Sequence, residues 1–235
     1  YDTPKFKKLL GDGSKFGIKI SYEIQQEPKG IAESLIISSD FIGSDNICLI
    51  LGDNIFYKLD SELQKAKTNL AKNFCTIFGV RVNNPENFGV VSFDPQNNFA
   101  RIVEKPNNPK SNLIVSGLYY YTNDVIEIAK KLKPSKRGEL EITDINNIML
   151  SKNKLSIIEL DSKVRWIDTG TYNSLLKASD FFHKIENNTG KKFACPEEIA
   201  YNLNFINREK LDKIAKSMEK SEYGKYLINI LKNEI

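Results

Sequence analysis

The pattern of apolar and polar positions along the chain predicts an α/β fold. An unbroken apolar run, Ile47-Cys-Leu-Ile-Leu51, is typical of a strand buried on both faces, and hence of a central strand in a parallel sheet. Strict alternation over residues 18–25 predicts another strand, and residues 31–39 predict a helix between the two. Strand, helix and strand form a βαβ unit, which makes neighbouring strands parallel.

The rest of the chain extends this pattern and adds a different portion. Further helices are predicted at residues 60–72, 125–132, 140–150 and 171–188, and further strands at 75–82, 155–160 and 164–167. Three strands at 88–93, 99–103 and 114–121 are separated by Pro, Asn and Asp turns. We expect these three to add an antiparallel portion with a binding surface to a mainly parallel central sheet.

Beyond Gly190 the pattern is helical only, with helices predicted at 196–201, 207–218 and 221–232. Pro196 followed by two glutamates is a helix start, because anions suit the positive N-terminal end of a helix. The sequence therefore predicts an α/β core over residues 1–190 and a C-terminal helical segment over 191–235, with a role in oligomer formation or regulation.

Composition limits the classes of protein that fit. The 235 residues suit one large domain, or one domain with an appendage, and the net charge of +4 is scattered, which does not indicate a nucleic-acid partner. No apolar run approaches the ~20 residues of a membrane span, and no signal segment opens the sequence. Three separated cysteines are interpreted as buried thiols, so we expect a cytoplasmic protein.

Two acidic residues each follow a short apolar segment. Asp53 comes just after the Ile47–Leu51 run, and Asp168 lies in Trp166-Ile-Asp-Thr-Gly170, before a helix. Because ligands bind beyond the carboxyl ends of strands in α/β sheets, both carboxylates could converge on one Mg²⁺, which prefers one or two carboxylates with phosphate and water oxygens. The alternative for each residue alone is a turn or a helix cap.

Three further segments suggest ligand contacts. Glu104-Lys105-Pro106 ends a strand, where Glu104 suits two sugar hydroxyls and Lys105 a phosphate; a solvated charge pair is the alternative. Gln25 and the loop with Gly30 could bind a nucleobase edge, or could form a polar turn. The run Val115-Ser-Gly-Leu-Tyr119 places a Gly inside a strand, which indicates close approach of a ligand or a bulge.

The order of these segments resembles the glucose-1-phosphate thymidylyltransferases. The resemblance covers essentially the whole chain. The matching runs are Leu51-Gly-Asp-Asn-Ile-Phe-Tyr57, Asn87-Phe-Gly-Val-Val91, Val103-Glu-Lys-Pro106, Ser116-Gly-Leu-Tyr119, Arg137-Gly-Glu-Leu-Glu-Ile-Thr-Asp144, Trp166-Ile-Asp-Thr-Gly-Thr171, Cys195-Pro-Glu-Glu-Ile-Ala200 and Glu222-Tyr-Gly-Lys-Tyr-Leu227. The Arg-Gly-Glu-Leu-Glu-Ile-Thr-Asp run is shared with sugar nucleotidyltransferases more widely.

The resemblance implies a Rossmann-like nucleotidyltransferase fold and a role for each matching residue. Asp53 and Asp168 match the pair that holds Mg²⁺, which makes them, with Lys105 on the sugar phosphate, the expected catalytic residues. The expected substrate-binding residues are Gln25 and Gly30 at the thymine, Glu104 at the glucose hydroxyls, Gly89, Val115 and Tyr119 along the sugar site, and Trp166 beside the metal loop.

One departure from the family concerns the phosphate-binding loop. The family opens with a strand and a Gly-rich loop that cradles the triphosphate, and this sequence has no such loop. Two β-α units, roughly 50–60 residues, are expected to be missing, so the N-terminal strands of the fold would be absent and the chain would be a fragment.

The resemblance implies that the complete protein makes dTDP-glucose and pyrophosphate from dTTP and glucose 1-phosphate, with Mg²⁺ as cofactor. It also implies a homotetramer that supplies dTDP-deoxysugars such as dTDP-rhamnose for polysaccharide. Two alternatives stay open. One is an enzyme that uses UTP or another sugar phosphate, and the other is a non-catalytic module that binds or senses a nucleotide sugar.

Overall fold

A computed structural model describes residues 2–96 and 98–232 of the chain. These residues form two compact units. One unit contains residues 25–175, and the other contains the described residues up to 24 together with those from 176 onward. Within this described part, no helix combines the length and the apolar character that crossing a membrane would require.

The helices and strands follow the predicted order closely. The helices are α1 (Thr3–Leu10), α2 (Glu33–Ile37), α3 (Ser39–Ile42), α4 (Asp60–Ala71), α5 (Val125–Ala129), α6 (Ile142–Ser151), α7 (Tyr172–Thr189), α8 (Pro196–Asn202), α9 (Arg208–Ser217) and α10 (Glu222–Lys232). The strands are β1 (Ile47–Ile50), β2 (Asn54–Tyr57), β3 (Cys75–Arg81), β4 (Gly89–Phe93), β5 (Phe99–Glu104), β6 (Leu113–Tyr121), β7 (Leu155–Glu159) and β8 (Arg165–Asp168).

A six-stranded sheet is the centre of the larger unit and confirms the α/β fold class. Strand β6 lies in the middle, where it pairs with β1, β3 and β4, while β5 pairs with β4 and β7 with β3. Only the β3–β7 pair is parallel among these strands, so the expected mainly parallel pairing is wrong. The physical reason is that β6 runs between β1 and β3 in the opposite direction, which separates strands that share one direction.

The nine residues of β6 are all buried, and their side chains alternate between two cores. Tyr119 and Tyr121 belong to the apolar cluster that includes α5 and α6, whereas Leu118 and Tyr120 belong to the cluster that includes Ala66 of α4. This period of two follows from the pleat of a strand. The sheet of this unit therefore has helices on both faces.

Strand β1 does not have the predicted central position. Among the described residues it pairs with β6 alone, and its residues Cys48 and Ile50 are exposed, the latter by 55%. The expectations that this run is buried on both faces, and that Cys48 is a buried thiol, are therefore wrong. An apolar run of five residues cannot by itself distinguish a central strand from one with a single neighbour.

Residues 18–25 do not form the predicted strand, so the predicted βαβ unit is not present. The Ile18 and Ile20 N–H groups instead donate to the carbonyl oxygens of Gly13 and Asp12, at 3.2 and 2.8 Å. A strand needs a neighbouring backbone, and no described residue forms a ladder with this segment. Strand β2, which the sequence did not predict, pairs with β8 in a separate two-stranded sheet.

The helices predicted after Gly190 are confirmed as α8, α9 and α10. Leu211 and Leu227 are completely buried in their shared core, which Phe16 joins. The division into compact units before residue 25 and after residue 175 differs in position from the boundary predicted near Gly190. That boundary, and a role of the C-terminal segment in oligomer formation or regulation, stay predictions.

Candidate active site

A pocket of about 230 Å³ opens in the larger unit and collects most of the predicted site residues. Its walls come from β4, β5, β6 and α6 and from the segments that follow β1 and β8. Eight of the ten predicted residues line it: Asp53, Gly89, Glu104, Lys105, Val115, Tyr119, Trp166 and Asp168. Elements distant in sequence therefore place two acidic residues, a glutamate and a lysine around one cavity.

The two acidic residues face the same point. Asp53 lies in the turn after β1, and Asp168 is the last residue of β8, opposite Asn54 in the β2–β8 ladder. The Thr169 N–H donates to the Asp53 carbonyl oxygen at 2.8 Å, which joins the two segments. A Cβ atom placed on Gly170 would lie 3.0 Å from Asp168 Oδ1 and 3.7 Å from Asp53 Oδ2, so both carboxylates border the space beside this glycine.

This pair fits the chemistry of a hard cation that brings other ligands with it. The Gly170 N–H donates to Asp168 Oδ1, and Asn54 Nδ2 donates to Asp53 Oδ1, both at 2.8 Å, so one oxygen of each carboxylate is held in place. Among residues 2–96 and 98–232 no three His, Cys, Asp or Glu side chains form a group that could hold a metal ion alone. Two carboxylates suit Mg²⁺, which takes its other ligands from water and phosphate.

Asn54 fixes this corner of the site and was not singled out by sequence reasoning. Its Oδ1 accepts from Trp166 Nε1 at 2.6 Å and from the Gly117 N–H at 3.2 Å, while its Nδ2 donates to Asp53. A Cβ atom on Gly117 would lie 2.6 Å from Asn54 Nδ2. The glycine inside β6 therefore gives room to a protein side chain, which is a third possibility beside the ligand and the bulge considered from sequence. The Asp-Asn pair after β1 was the available signal for Asn54.

Glu104 and Lys105 occupy the opposite wall of the pocket as neighbours with different backbone conformations. Glu104 ends β5 opposite Gly89 of β4, and its Oε2 accepts from Thr143 Oγ1 at 2.5 Å. Lys105 has a φ of +41° and donates its N–H to the Phe88 carbonyl oxygen at 3.0 Å. This turn out of the strand lets both charged side chains reach the same cavity.

Arg137 adds a cation that the sequence analysis did not assign, although it begins the Arg-Gly-Glu-Leu-Glu run. It lines the pocket, and its guanidinium lies 2.8 Å from Glu139, 3.4 Å from Glu141 and 3.6 Å from Glu104. Burial raises the pKa of the Glu141 carboxyl, and the nearby Glu104 carboxylate also raises it, whereas Ser135 and Arg137 act in the opposite direction. Arg137 is therefore surrounded by acidic groups at the edge of the pocket.

Asp53 and Asp168 could bind a cation in this pocket, and an anionic ligand such as a phosphate could arrive together with that cation. Comparison with known proteins identifies the family. The sequence profile of the nucleotidyl transferases matches residues 1–185. The chain belongs to the nucleotidyl transferase family. This confirms the resemblance on which the sequence prediction relied.

Individual nucleotidyl transferases show the same similarity. The glucose-1-phosphate thymidylyltransferase of Neisseria meningitidis is 47% identical over 232 residues, which are 98% of this chain and 80% of that protein. The crystal structure of a Bacillus anthracis protein assigned as a glucose-1-phosphate thymidylyltransferase, in complex with sucrose, superimposes with a TM-score of 0.68 at 37% identity over 76% of this chain and 71% of that one. The structure of a UDP-glucose pyrophosphorylase complexed with UDP-glucose superimposes with a TM-score of 0.61 at 26% identity, over 70% of this chain and 66% of that one.

The two residues predicted to bind the nucleobase lie outside the pocket of this nucleotidyl transferase. Gln25 Nε2 donates to the Gly30 carbonyl oxygen at 3.0 Å and to Glu33 at 2.6 Å, so the two predicted residues are joined to each other. Gly30 has a φ of +98°, and a Cβ atom there would lie 2.4 Å from the Leu140 carbonyl oxygen. This packing against Leu140 explains why a glycine occupies position 30. Binding of the nucleobase by Gln25 or Gly30 stays a prediction.

Tyr119 and Trp166 supply the aromatic walls of the pocket. Tyr119 is 4% exposed and stacks on Tyr121 with ring centres 5.5 Å apart, and burial raises the pKa of its hydroxyl. Trp166 meets Phe88 edge to face at 5.7 Å. Rigid aromatic walls beside a few polar groups are the usual construction of small-molecule sites.

Proposed function

We propose that this nucleotidyl transferase joins dTTP and glucose 1-phosphate to give dTDP-glucose and pyrophosphate. The observation that carries the proposal is the meeting of Asp53 and Asp168 with Glu104 and Lys105 around one pocket. The 47% identity to the Neisseria meningitidis glucose-1-phosphate thymidylyltransferase, which extends over 98% of this chain, supports the same choice of substrates.

The proposed reaction needs positioning and neutralisation of charge more than acid–base chemistry. An oxygen of the sugar phosphate forms a bond to the α-phosphorus of dTTP, and the bond from that phosphorus to the β-phosphate oxygen breaks, which releases pyrophosphate. The attacking phosphate is already ionised, so it needs no general base. Lys105 would hold this phosphate against the charge of the triphosphate. Arg137 lines the same pocket, where its charge is balanced by Glu104, Glu139 and Glu141.

Asp53 and Asp168 are the residues that would hold Mg²⁺ in this proposal. When bound, Mg²⁺ neutralises charge that develops on phosphate oxygens during phosphoryl transfer. Asn54 and the Gly170 N–H each bind one carboxylate oxygen, so they would keep the pair in position before the cation arrives.

Recognition of the sugar is assigned to the wall that contains Glu104. The Glu104 carboxylate can accept hydrogen bonds from two hydroxyl groups, and Thr143 orients it from α6. Gly89 lies opposite it in the ladder, where a Cβ atom would come within 3.3 Å of both Thr143 Oγ1 and Glu104 Oε2. Val115 and Tyr119 line the same pocket. Gln25 and Gly30 remain the proposed contacts of thymine.

The choice of nucleotide is the part of the proposal that most needs an experiment. Thymine and uracil differ by one methyl group, worth about 1–3 kcal/mol in an apolar pocket, and the similar UDP-glucose pyrophosphorylase makes UTP the second candidate. The intact protein, purified from its own cells and with its mass determined, is assayed for pyrophosphate release with dTTP or UTP and a panel of sugar 1-phosphates. Preference for dTTP with glucose 1-phosphate supports the proposal.

A non-catalytic binding module is tested in the same preparation. Calorimetric titration with dTDP-glucose and with dTTP, each with and without Mg²⁺, separates the two classes, because a binder without transfer activity has no need of the cation. Binding that ignores Mg²⁺, together with no pyrophosphate release from any pair, would overturn the proposal.

We also propose that the protein is a cytoplasmic homotetramer that supplies dTDP-deoxysugar synthesis, such as that of dTDP-rhamnose. The family resemblance and the three thiols support this. Light scattering of the purified protein measures the number of subunits, and loss of dTDP-rhamnose from cells that lack the gene tests the pathway.

A further inference from the structure

One polar atom in the pocket has no hydrogen-bond partner. Asn146 of α6 is 1% exposed and lines the pocket. Its Oδ1 accepts from the Tyr121 hydroxyl at 2.6 Å, but its Nδ2 is one of two buried side-chain atoms without a partner in the described part of the chain. The other is Ser116 Oγ, and Ser116 is not part of the pocket wall.

An unsatisfied buried donor costs stability, and native proteins keep few of them. The Tyr121 hydroxyl occupies the oxygen of the amide and leaves the NH₂ group of Asn146 available. An unpaired donor in a pocket wall is explained when a ligand provides the missing acceptor.

The position of Asn146 indicates which part of the ligand provides that acceptor. Thr143, one turn earlier on the same face of α6, donates to Glu104. Tyr121, which binds the Asn146 oxygen, stacks on Tyr119 of the pocket wall. Asn146 thus belongs with Thr143, Glu104 and Tyr119, the wall to which the proposed function assigns the sugar.

We propose that Asn146 Nδ2 donates a hydrogen bond to one hydroxyl oxygen of the hexose, so that Asn146 determines which hexose 1-phosphates are accepted. The inference rests on the proposed function. A site built to bind a hydroxyl group discriminates against an analogue that lacks it, because the buried partner is then left unpaired. The expected ligands are hexose 1-phosphates that carry a hydroxyl group at the position that Asn146 faces.

The test measures kcat/KM of the intact protein with glucose 1-phosphate and with its 2-, 3-, 4- and 6-deoxy analogues. For the wild-type protein we expect a loss of about tenfold or more at the position that Asn146 faces. In Asn146→Leu, kcat/KM with glucose 1-phosphate itself should fall by about the same factor. The analogue that lacks the hydroxyl group facing residue 146 should then show no further loss of kcat/KM. Discrimination then disappears at one hydroxyl position and persists at the other three.

A matched control comes from the next residue of the helix. Asn147 exchanges hydrogen bonds with the backbone of Ile102, accepting its N–H at 2.8 Å and donating to its carbonyl oxygen at 2.9 Å. Asn147→Leu should change kcat/KM by the same factor for all five substrates. The ratio of kcat/KM between glucose 1-phosphate and each analogue should therefore stay as in the wild-type protein. Asn146→Leu behaving in the same way, with all four ratios as in the wild-type protein, would overturn the inference and leave Asn146 a structural residue.

Two further results keep the test decisive. If Asn146→Leu does not fold, Asn146→Ala replaces it, since a methyl side chain can neither donate to a hydroxyl group nor accept from one. The loss of kcat/KM with the one deoxy analogue, relative to glucose 1-phosphate, should then disappear in this variant as well. If the wild-type protein makes no dTDP-glucose, the proposed function fails, whereas a wild-type protein that is active with ratios insensitive to residue 146 refutes only the present inference.

Discussion

Trp166 Nε1 donates to Asn54 Oδ1 at 2.6 Å, although the two residues are 112 positions apart in the chain. The same amide donates to Asp53, and Trp166 lies two residues before Asp168. One asparagine therefore links the segments that carry the two acidic residues. Asp53 and Asp168 are held as a pair by protein contacts, which favours a site that is formed before a cation binds.

Trp166 should report binding directly, because it is the only tryptophan in the sequence and it lines the pocket. We expect dTDP-glucose to change the tryptophan fluorescence, and Mg²⁺ to lower the concentration at which the change is half complete. Fluorescence titration of the chain described here, with and without Mg²⁺, is the measurement. It requires binding only and no turnover.

The controls for this titration are conservative changes of single aspartates. Asp53→Asn and Asp168→Asn should remove the effect of Mg²⁺, while Asp40→Asn, at an exposed position of α3, should keep it. An effect of Mg²⁺ that survives in both pocket variants would contradict the assignment of the metal to this pair.

The acidic pair should also matter for turnover. In the intact protein, Asp53→Ala and Asp168→Ala are each expected to reduce kcat by at least ~10²-fold, as when an electrostatic stabiliser of the transition state is removed. Initial rates of pyrophosphate release at saturating Mg²⁺ measure this. Near-normal rates for either variant would show that the carboxylate concerned does not hold the cation.

Most elements could be predicted from the sequence because their signals are local. Helix α4 was predicted within one residue of its observed bounds, and β3 likewise, since periodicity, caps and β-branched residues act within a few positions. Residues 18–25 show the limit of such signals. Alternation predicts what a segment would do beside a strand, and it carries no information about whether that strand is there.

The pocket residues likewise divide into those that the sequence predicts and those that only the tertiary structure brings together. Asp53, Asp168, Glu104 and Lys105 were predicted because charged residues at strand ends stand out against an apolar run. Asn54 was not singled out although it directly follows Asp53, since its partner Trp166 lies on a distant strand and only the β2–β8 ladder brings them together. Arg137 was part of a recognised run, but its position near Glu104, Glu139 and Glu141 depends on tertiary structure.

Gly117 is predicted to be required for the position of Asn54. In Gly117→Ala the new Cβ would lie 2.6 Å from Asn54 Nδ2 and 2.9 Å from Leu51 Cδ1, and Asn54 cannot move without losing its hydrogen bonds. We expect a loss of about 1–3 kcal/mol in the free energy of unfolding. Denaturant unfolding measures it, and Gly52→Ala is the control, because a Cβ there meets no atom within 4 Å. Equal stability of the two variants would contradict the steric explanation.

Glu104→Gln should separate sugar binding from catalysis. The change keeps the shape of the side chain and removes its charge, so we expect KM for glucose 1-phosphate to rise by about tenfold to a hundredfold, as for the loss of a hydrogen bond to a charged group, with a smaller change in kcat. Glu159→Gln is the control, since Glu159 pairs with Arg81 at 2.6 Å and is not part of this pocket. An unchanged KM would remove Glu104 from the sugar site.

The last prediction concerns the helical unit and its dependence on pH. Glu197 of α8 is 3% exposed, accepts a hydrogen bond from the Tyr223 hydroxyl and lies 2.7 Å from Lys15 Nζ. Burial would raise the pKa of Glu197, but these two partners outweigh it, so the pKa is lowered from its ordinary value of 4.5. A carboxyl group with a lowered pKa stabilises the fold above its ordinary pKa, and this contribution is lost as the pH falls through the lowered value.

Glu197→Gln should therefore reduce the free energy of unfolding at pH 7 by about 1–3 kcal/mol, toward the lower end because Lys15 is 42% exposed. Thermal unfolding of wild type and variant from pH 7 down to pH 3 measures the difference, which should shrink below pH 4.5 as the wild-type carboxylate takes up its proton. Glu23→Gln, at an exposed position of an irregular segment of the same unit, should match the wild-type protein throughout. A difference that stays constant over this range would mean that Glu197 acts by shape and not by charge.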